Sequence, residues 1–143
     1  MTTWFLHLHS VAIMVSASSF LSVVATVLLS VESAHALGCY TTGLRYGDVS
    51  SNNNSIAQAR QRACQRFGGK TYSQGGGDSL CVSFPATRNR INFNIRNNAG
   101  TARYLSYSDC IAALTIEMNA CSRGSEQNHG NFFYRNDPNA GLC

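Results

Sequence analysis

Histidine is scarce in most of this chain, because His129 is the only one after residue 35. A single imidazole excludes the histidine pairs that many small ribonucleases use as general acid and base. No serine lies in a nucleophile-elbow motif, and no calcium-loop spacing surrounds Asp137-Pro138-Asn139. We therefore expect no metal, no cofactor and no enzymatic activity. The enzymatic alternative is a small secreted ribonuclease that pairs His129 with Glu117, whereas we expect His129 to be a solvated loop residue.

Charged residues are absent from the first 31 positions, which include the largely apolar run of residues 11–31. A run of this length can span a bilayer, which takes about 20 residues. A retained anchor needs basic residues on its cytoplasmic side, and none precedes the run. Ala34-His35-Ala36 then forms a small-x-small site of the kind that signal peptidase cuts. We predict a signal peptide at residues 1–36, a secreted domain at residues 37–143 and no membrane insertion after cleavage, with a membrane anchor as the alternative.

Lysine is scarcer still, since Lys70 is the only one and the other ten basic residues are arginines. The arginines are scattered along the chain, so we interpret the formal net charge of +4 as a feature that favours solubility. No nucleic-acid partner is expected. Asparagine, by contrast, is abundant with thirteen residues, and it suits both turns and hydrogen bonds to polar ligands.

Cysteine is concentrated in the predicted secreted part, which holds all six cysteines of the chain. An even number of cysteines in a short exported chain predicts a disulfide framework rather than a metal or redox site. The sequence leaves the pairing open. The predicted disulfide residues are Cys39, Cys64, Cys81, Cys110, Cys121 and Cys143.

Hydrophobic periodicity predicts two helices and several strands in the secreted part. One helix is predicted over residues 56–67, after a capping-box pattern at Ser55 and Gln58, and a second begins at Ser106 or Ser108. Strands are predicted at residues 39–46, 79–84, 89–97, 101–105 and 131–135. Residues 101–105 would pair antiparallel with residues 89–97 to form a hairpin. A polar loop would follow the second helix, and residues 137–141 would form a turn. This order predicts an α+β domain with an antiparallel sheet and two helices on one face.

The segment of residues 89–97 alternates cleanly between apolar and polar side chains. Ile91, Phe93 and Ile95 would face the helices, so the pleat would hold the intervening side chains on the exposed face. Amides and guanidinium groups beside an aromatic ring (Tyr104, Phe132 or Tyr134) suit sugar recognition, although an ordinary solvated face is the alternative. The predicted glycan-binding residues are Arg90, Asn92, Asn94, Arg96, Tyr134, Arg135, Asp137 and Asn139.

Several short motifs form a moderately specific pattern over nearly all of the secreted part. They are Gly38-Cys39-Tyr40, Ala63-Cys64, Cys81, Ile91-x-Phe93-x-Ile95-x-Asn97, the segment from Cys110 to Cys121, and the ending from Tyr134 to Cys143. This pattern resembles the small secreted glycan-binding proteins of ink-cap mushrooms. The chain departs from the family pattern at Ser122-Arg123-Gly124 and at Phe132-Phe133.

The resemblance implies a compact domain with three disulfides that a fungus secretes. It also implies lectin-like binding of glycans or glycoproteins without catalysis. A different class of protein stays open, because fungal killer toxins and plant-directed effectors are also small, basic and disulfide-rich. Such proteins act on protein or membrane targets, and likeness of fold does not decide between these functions.

Overall fold

The computed structural model describes residues 38–143, so the predicted signal peptide lies outside the described residues. This part is a small α+β domain with antiparallel sheets and three disulfides, which confirms the predicted class. Its helices are α1 (Tyr46–Val49), α2 (Asn53–Phe67) and α3 (Tyr107–Ala120). Its strands are β1 (Lys70–Tyr72), β2 (Gly77–Phe84), β3 (Asn89–Asn97), β4 (Arg103–Leu105), β5 (Ser125–His129) and β6 (Phe132–Ala140). Within the described residues, no helix is both long and apolar enough to cross a bilayer.

The larger sheet has the strand order β2-β3-β6-β5, and all neighbouring strands are antiparallel. β3 has the predicted bounds, and the apolar positions Ile91, Phe93 and Ile95 are buried. They belong to one hydrophobic cluster with Phe67 of α2 and Leu114 of α3, so these two helices cover one face of the sheet. Burial of each large apolar side chain stabilises this packing by about 1.5–3 kcal/mol.

The two long helices are confirmed, and side-chain caps set where they begin. α2 begins earlier than predicted because Asn52, rather than Ser55, is its N-cap and accepts a hydrogen bond from the Asn54 amide at 2.9 Å. Ser106 caps α3 by accepting from the Asp109 amide at 3.0 Å. Such caps satisfy backbone N–H groups that have no partner inside the helix.

A second, two-stranded sheet replaces the predicted hairpin. The strand β4 lies inside the predicted segment 101–105, but it pairs with β1 and not with β3. The buried side chain of Asn97, at the end of β3, accounts for this difference. Its Nδ2 donates to the carbonyl oxygens of Tyr72, Ser73 and Thr101 at 2.9, 3.1 and 2.8 Å. Asn97 thereby holds the chain after β1 against the chain before β4.

The predicted strand at residues 39–46 is wrong. Cys39 makes only an isolated bridge to Ser125, and the segment ends in the short helix α1. Asp48 closes the first turn of this helix by accepting from the Arg45 amide at 2.7 Å. Burial of the Tyr46 side chain then fixes the turn against the domain.

The C-terminal prediction is wrong in two places. The expected polar loop after α3 contains β5, and β6 continues through the expected turn at 137–141 as far as Ala140. Proline has no N–H for a strand ladder and is therefore found where a strand edge is unpaired. Pairing with β5 stops at Ser125 opposite Asn136, so Pro138 lies beyond the last strand pair on that side.

The disulfide pairing, which the sequence leaves open, is Cys39–Cys121, Cys64–Cys110 and Cys81–Cys143. No cysteine within residues 38–143 is free, as predicted. Cys64–Cys110 joins α2 to α3 in the core, where both residues are fully buried. Cys81–Cys143 ties the C-terminal residue to β2, on the face of the sheet opposite the helices.

Candidate functional site

The face of the larger sheet that points away from α2 and α3 carries most of the predicted binding residues. We call it the open face. Its side chains alternate along each strand with the buried ones. They are Ser79, Cys81 and Ser83 of β2, Arg90, Asn92, Asn94 and Arg96 of β3, Phe133, Arg135, Asp137 and Asn139 of β6, and Glu126 and Asn128 of β5.

The strand register arranges these side chains in rows across the sheet. Asn94 lies opposite both Ser79 and Arg135, and Arg135 lies opposite Glu126, so one row crosses four strands. In the next row, Asn92 lies opposite Asp137. Directly opposite side chains are near enough to touch the same small ligand. The structure therefore brings seven of the eight predicted residues onto one surface.

Tyr134 is the exception, and its predicted place on this surface is wrong. It is only 1% exposed and faces the helices, because successive strand residues point to opposite faces. Since the side chain of Arg135 points to the open face, that of Tyr134 must point to the opposite face. Phe132 is buried for the same reason, and Tyr104 lies in the second sheet, so none of the three proposed aromatic residues lies on the open face.

Phe133 is the aromatic residue of the open face, and the prediction missed it. Counting two residues back from Arg135 along β6 would have identified it. The Arg96 guanidinium lies 5.3 Å from the centre of the Phe133 ring, within the range of a cation–π contact. Arg96 also donates from Nε to Asn98 Oδ1 at 2.9 Å. Arg96 therefore covers part of this ring.

Arg90 is already engaged by the chain itself. Its Nη1 donates to the carbonyl oxygens of Ala140 and Leu142 at 2.8 and 3.2 Å. These bonds hold the segment that leads to the Cys81–Cys143 disulfide. Arg90 is therefore a structural residue at the end of the open face, unlike the neighbouring asparagines.

Asn92 and Asn94 lie in the middle of the open face with unused hydrogen-bonding groups. Within residues 38–143, no residue forms a hydrogen bond with either side-chain amide. Both are half-buried and sit on a strand paired on both sides, so their positions are restrained. Each amide thus offers a donor and an acceptor to a ligand.

Arg135 lies between two carboxylates. Its Nη2 donates to Asp137 Oδ2 at 2.9 Å, and its Nε lies 3.4 Å from Glu126 Oε1. Burial is the largest influence and acts to lower the pKa of Arg135, but the bond to Asp137 together with the nearby Tyr40, Asp137 and Glu126 outweighs it, so the pKa is raised. Tyr40 donates to Glu126 Oε1 at 2.7 Å, and burial followed by this bond raises the pKa of the phenol. The positive charge of Arg135 is therefore balanced within the open face.

A shallow depression of about 520 Å³ lies at the centre of the open face. Its volume falls within the range of about 300–1,000 Å³ that is usual for small-molecule sites. Hydroxyl, amide, carboxylate and guanidinium groups line it together with one aromatic ring. The side chains of this face that line it are Ser79, Cys81, Asn92, Asn94, Glu126, Phe133 and Arg135.

Glu117 and His129, the alternative catalytic pair, contact each other on the other side of the sheet. His129 is the last residue of β5, so its predicted place in a solvated loop is wrong. Glu117 is fully buried and also accepts a hydrogen bond from Ser125, whose Oγ accepts from Asn136 Nδ2 at 2.9 Å. Glu117 can therefore reach a substrate only through His129.

Within residues 38–143, no three metal-ligating side chains come together to form a metal site. No protein-family model matches the chain, and no curated protein is significantly similar to it.

Proposed function

We propose that the protein is a secreted, lectin-like glycan-binding protein without catalytic activity, and that the open face binds the glycan. One observation carries the proposal: the amides of Asn92 and Asn94, which have no hydrogen-bond partner within residues 38–143, lie in a depression that also contains the Phe133 ring. Amide groups match the adjacent hydroxyls of a sugar, because each amide both donates and accepts. An aromatic ring complements the apolar face of a pyranose.

The rigidity of the open face supports this proposal. Its residues lie on paired strands, so a ligand loses little free energy in ordering them. The balanced charge of Arg135 favours an uncharged ligand over an anion. Three disulfides are typical of proteins that fold in an oxidising compartment, which supports secretion.

We expect the double variant Asn92→Ala, Asn94→Ala to bind an immobilised glycan about tenfold more weakly or worse. Loss of each hydrogen bond to a sugar costs about 0.5–1.5 kcal/mol. Thermal stability should stay nearly unchanged, because neither side chain bonds to the rest of the described chain. Binding is measured on a glycan array and then by competition with the free sugar. Asn119→Ala, the same change at an exposed helical position, is the matched control.

Arg135→Ala should also weaken glycan binding, with little change in melting temperature, because exposed ion pairs contribute only about 0–1 kcal/mol. Arg62→Ala on the exposed side of α2 is its control. If the Asn92, Asn94 and Arg135 variants all bind as the wild type does, the glycan site lies elsewhere. The segment at residues 75–77, which leads into β2, and the segment at residues 128–130, where β5 ends, would then be tested.

A killer toxin or effector that acts on a protein or membrane target is the alternative from another class. Binding to the array that free sugar competes away supports the lectin. Growth inhibition or plant cell death without sugar competition supports the toxin or effector.

We expect the purified protein to leave RNA and polysaccharide uncleaved. Only His129 of the Glu117–His129 pair can reach a substrate, since Glu117 is fully buried. Product formation is measured by gel electrophoresis of a labelled RNA and by a reducing-sugar assay. RNA turnover that His129→Ala abolishes would instead support the ribonuclease.

A further inference from the structure

A second concave site lies on the helix side of the sheet, away from the open face. It is a cleft of about 360 Å³ between α3, the β5–β6 turn and the segment of β4. Tyr134 lines this cleft, while its neighbours Phe133 and Arg135 point to the opposite face. The residues that define the cleft are Tyr104, Asp109, Ala112, Ile116, His129 and Tyr134.

The hydroxyl of Tyr134 has no hydrogen-bond partner among the described residues. The residue as a whole is only 1% exposed, and no group within residues 38–143 forms a hydrogen bond with this hydroxyl. Two other buried tyrosines of the domain behave differently: Tyr46 donates to Asn136, and Tyr72 donates to the Phe67 carbonyl at 2.9 Å. Buried tyrosine hydroxyls normally find a partner. Among the described residues, Arg60 Nε is the fully buried side-chain atom without a partner, so the Tyr134 hydroxyl reaches the surface of the cleft, where a group that enters can accept from it.

The polar groups around this hydroxyl restrict what can enter. Asp109 lines the same cleft as Tyr134. Burial raises the pKa of Tyr134 to about 12, and the charge of Asp109 adds to the shift. Asp109 Oδ2 accepts from Ser106 at 2.6 Å, which leaves Oδ1 to accept from a ligand. His129 is held by Glu117 and lies edge-on to the Tyr134 ring, with the ring centres 5.8 Å apart.

The rim of the cleft is apolar and accessible. Tyr104 and Ile116 are 62% and 58% exposed, although both are large hydrophobic residues. An exposed aromatic ring above polar groups suits a ligand that has both an apolar face and hydrogen-bonding groups. Such a ligand would cover both side chains while its polar groups reach the base of the cleft.

We propose that this cleft is a second binding site, and that it takes one uncharged, hydroxyl-bearing ring, such as a neutral sugar residue. A ligand hydroxyl can accept a hydrogen bond from the Tyr134 hydroxyl and donate one to the Asp109 carboxylate, which can only accept. An anion would be repelled by Asp109, and a cation would give the Tyr134 hydroxyl no acceptor. The volume, near the lower end of the usual range for ligand sites, fits one ring. One molecule would then hold ligands on both faces of its sheet.

The test is an amide chemical-shift titration of the secreted, ¹⁵N-labelled protein. The probes are the methyl glycosides of galactose, glucose and mannose, with sialic acid as the charged comparison. At least one neutral glycoside should shift the amides of Gly130 and Asn131 in the cleft. Tyr134→Phe should weaken this binding about tenfold without lowering the melting temperature. Tyr107→Phe, which removes an exposed hydroxyl outside the cleft, is the matched control and should leave binding unchanged.

Two further variants keep the two sites distinguishable. Tyr104→Ala changes only the exposed rim and should also weaken the shifts at Gly130 and Asn131. Arg135→Ala on the open face should leave them unchanged, so failure of the open-face proposal does not affect this one. The second-site proposal is wrong if no neutral glycoside shifts the cleft amides at tens of millimolar, or if sialic acid alone does. It is equally wrong if Tyr134→Phe lowers the melting temperature by several degrees, because the hydroxyl would then have a structural partner.

Discussion

Replacing both Cys64 and Cys110 by alanine is expected to lower the free energy of unfolding by about 4 kcal/mol. The disulfide joins residues 46 positions apart, so its loss frees a long loop of the unfolded chain. It also removes the direct covalent link between α2 and α3 within the core. For a domain of this size, the melting temperature should fall by about 15–30 °C. Thermal unfolding followed by circular dichroism measures the change.

The variant lacking Cys81 and Cys143 provides the comparison for this prediction. Its loop is longer, with a separation of 62 residues, so loop entropy alone predicts a similar loss of about 4 kcal/mol. However, Cys143 is exposed, and its removal leaves no cavity in the core. A larger loss for the Cys64–Cys110 variant would measure the packing contribution of the buried disulfide. If that variant melted within a few degrees of the wild type, the helix–helix disulfide would not be a principal source of stability.

Asn97→Ala is expected to destabilise the domain by about 3 kcal/mol, although it leaves the charge unchanged and removes only a small side-chain volume. The buried side chain donates to three carbonyl oxygens and accepts from the Ala99 amide at 2.9 Å. A buried polar group left without a partner costs about 1–3 kcal/mol. The change should also loosen the small sheet, because Asn97 binds both segments that lead to it. Urea unfolding measures the free energy, and hydrogen exchange at Thr71 and Tyr104 reports on that sheet.

Asn98→Ala is the matched control for Asn97→Ala. It makes the same substitution one residue further along the chain, where the side chain is exposed. Its side chain bonds to Arg96 and Asn128 at the surface, where water can replace both bonds, so its effect should stay within about 1 kcal/mol. Equal effects at the two positions would contradict the role that we assign to the buried amide.

Much of the fold could be predicted from the sequence where the signal is local. The bounds of β3 follow from the alternation of Ile91, Phe93 and Ile95 with polar residues, because a half-buried strand requires this period. α2 follows from an apolar face at helical spacing. The outward direction of Asn92, Asn94 and Arg135 could be predicted for the same reason, since the pleat ties each residue to its neighbours. The same rule places Tyr134 inside, and the prediction failed there because it did not apply the pleat to β6.

The sequence by itself thus determined the α+β class, the two long helices, the strand β3 and the face of the sheet on which Asn92 and Asn94 lie. These features depend on hydrophobic patterns that repeat every few residues. The tertiary structure decided the disulfide pairing, the small sheet, the strand β5 and the cleft around Tyr134. These features depend on contacts between distant positions, such as Lys70 with Leu105 and Ser125 with Asn136. Local propensity cannot rank such pairings, because their energies come from burial and hydrogen bonds that exist only after the chain has folded.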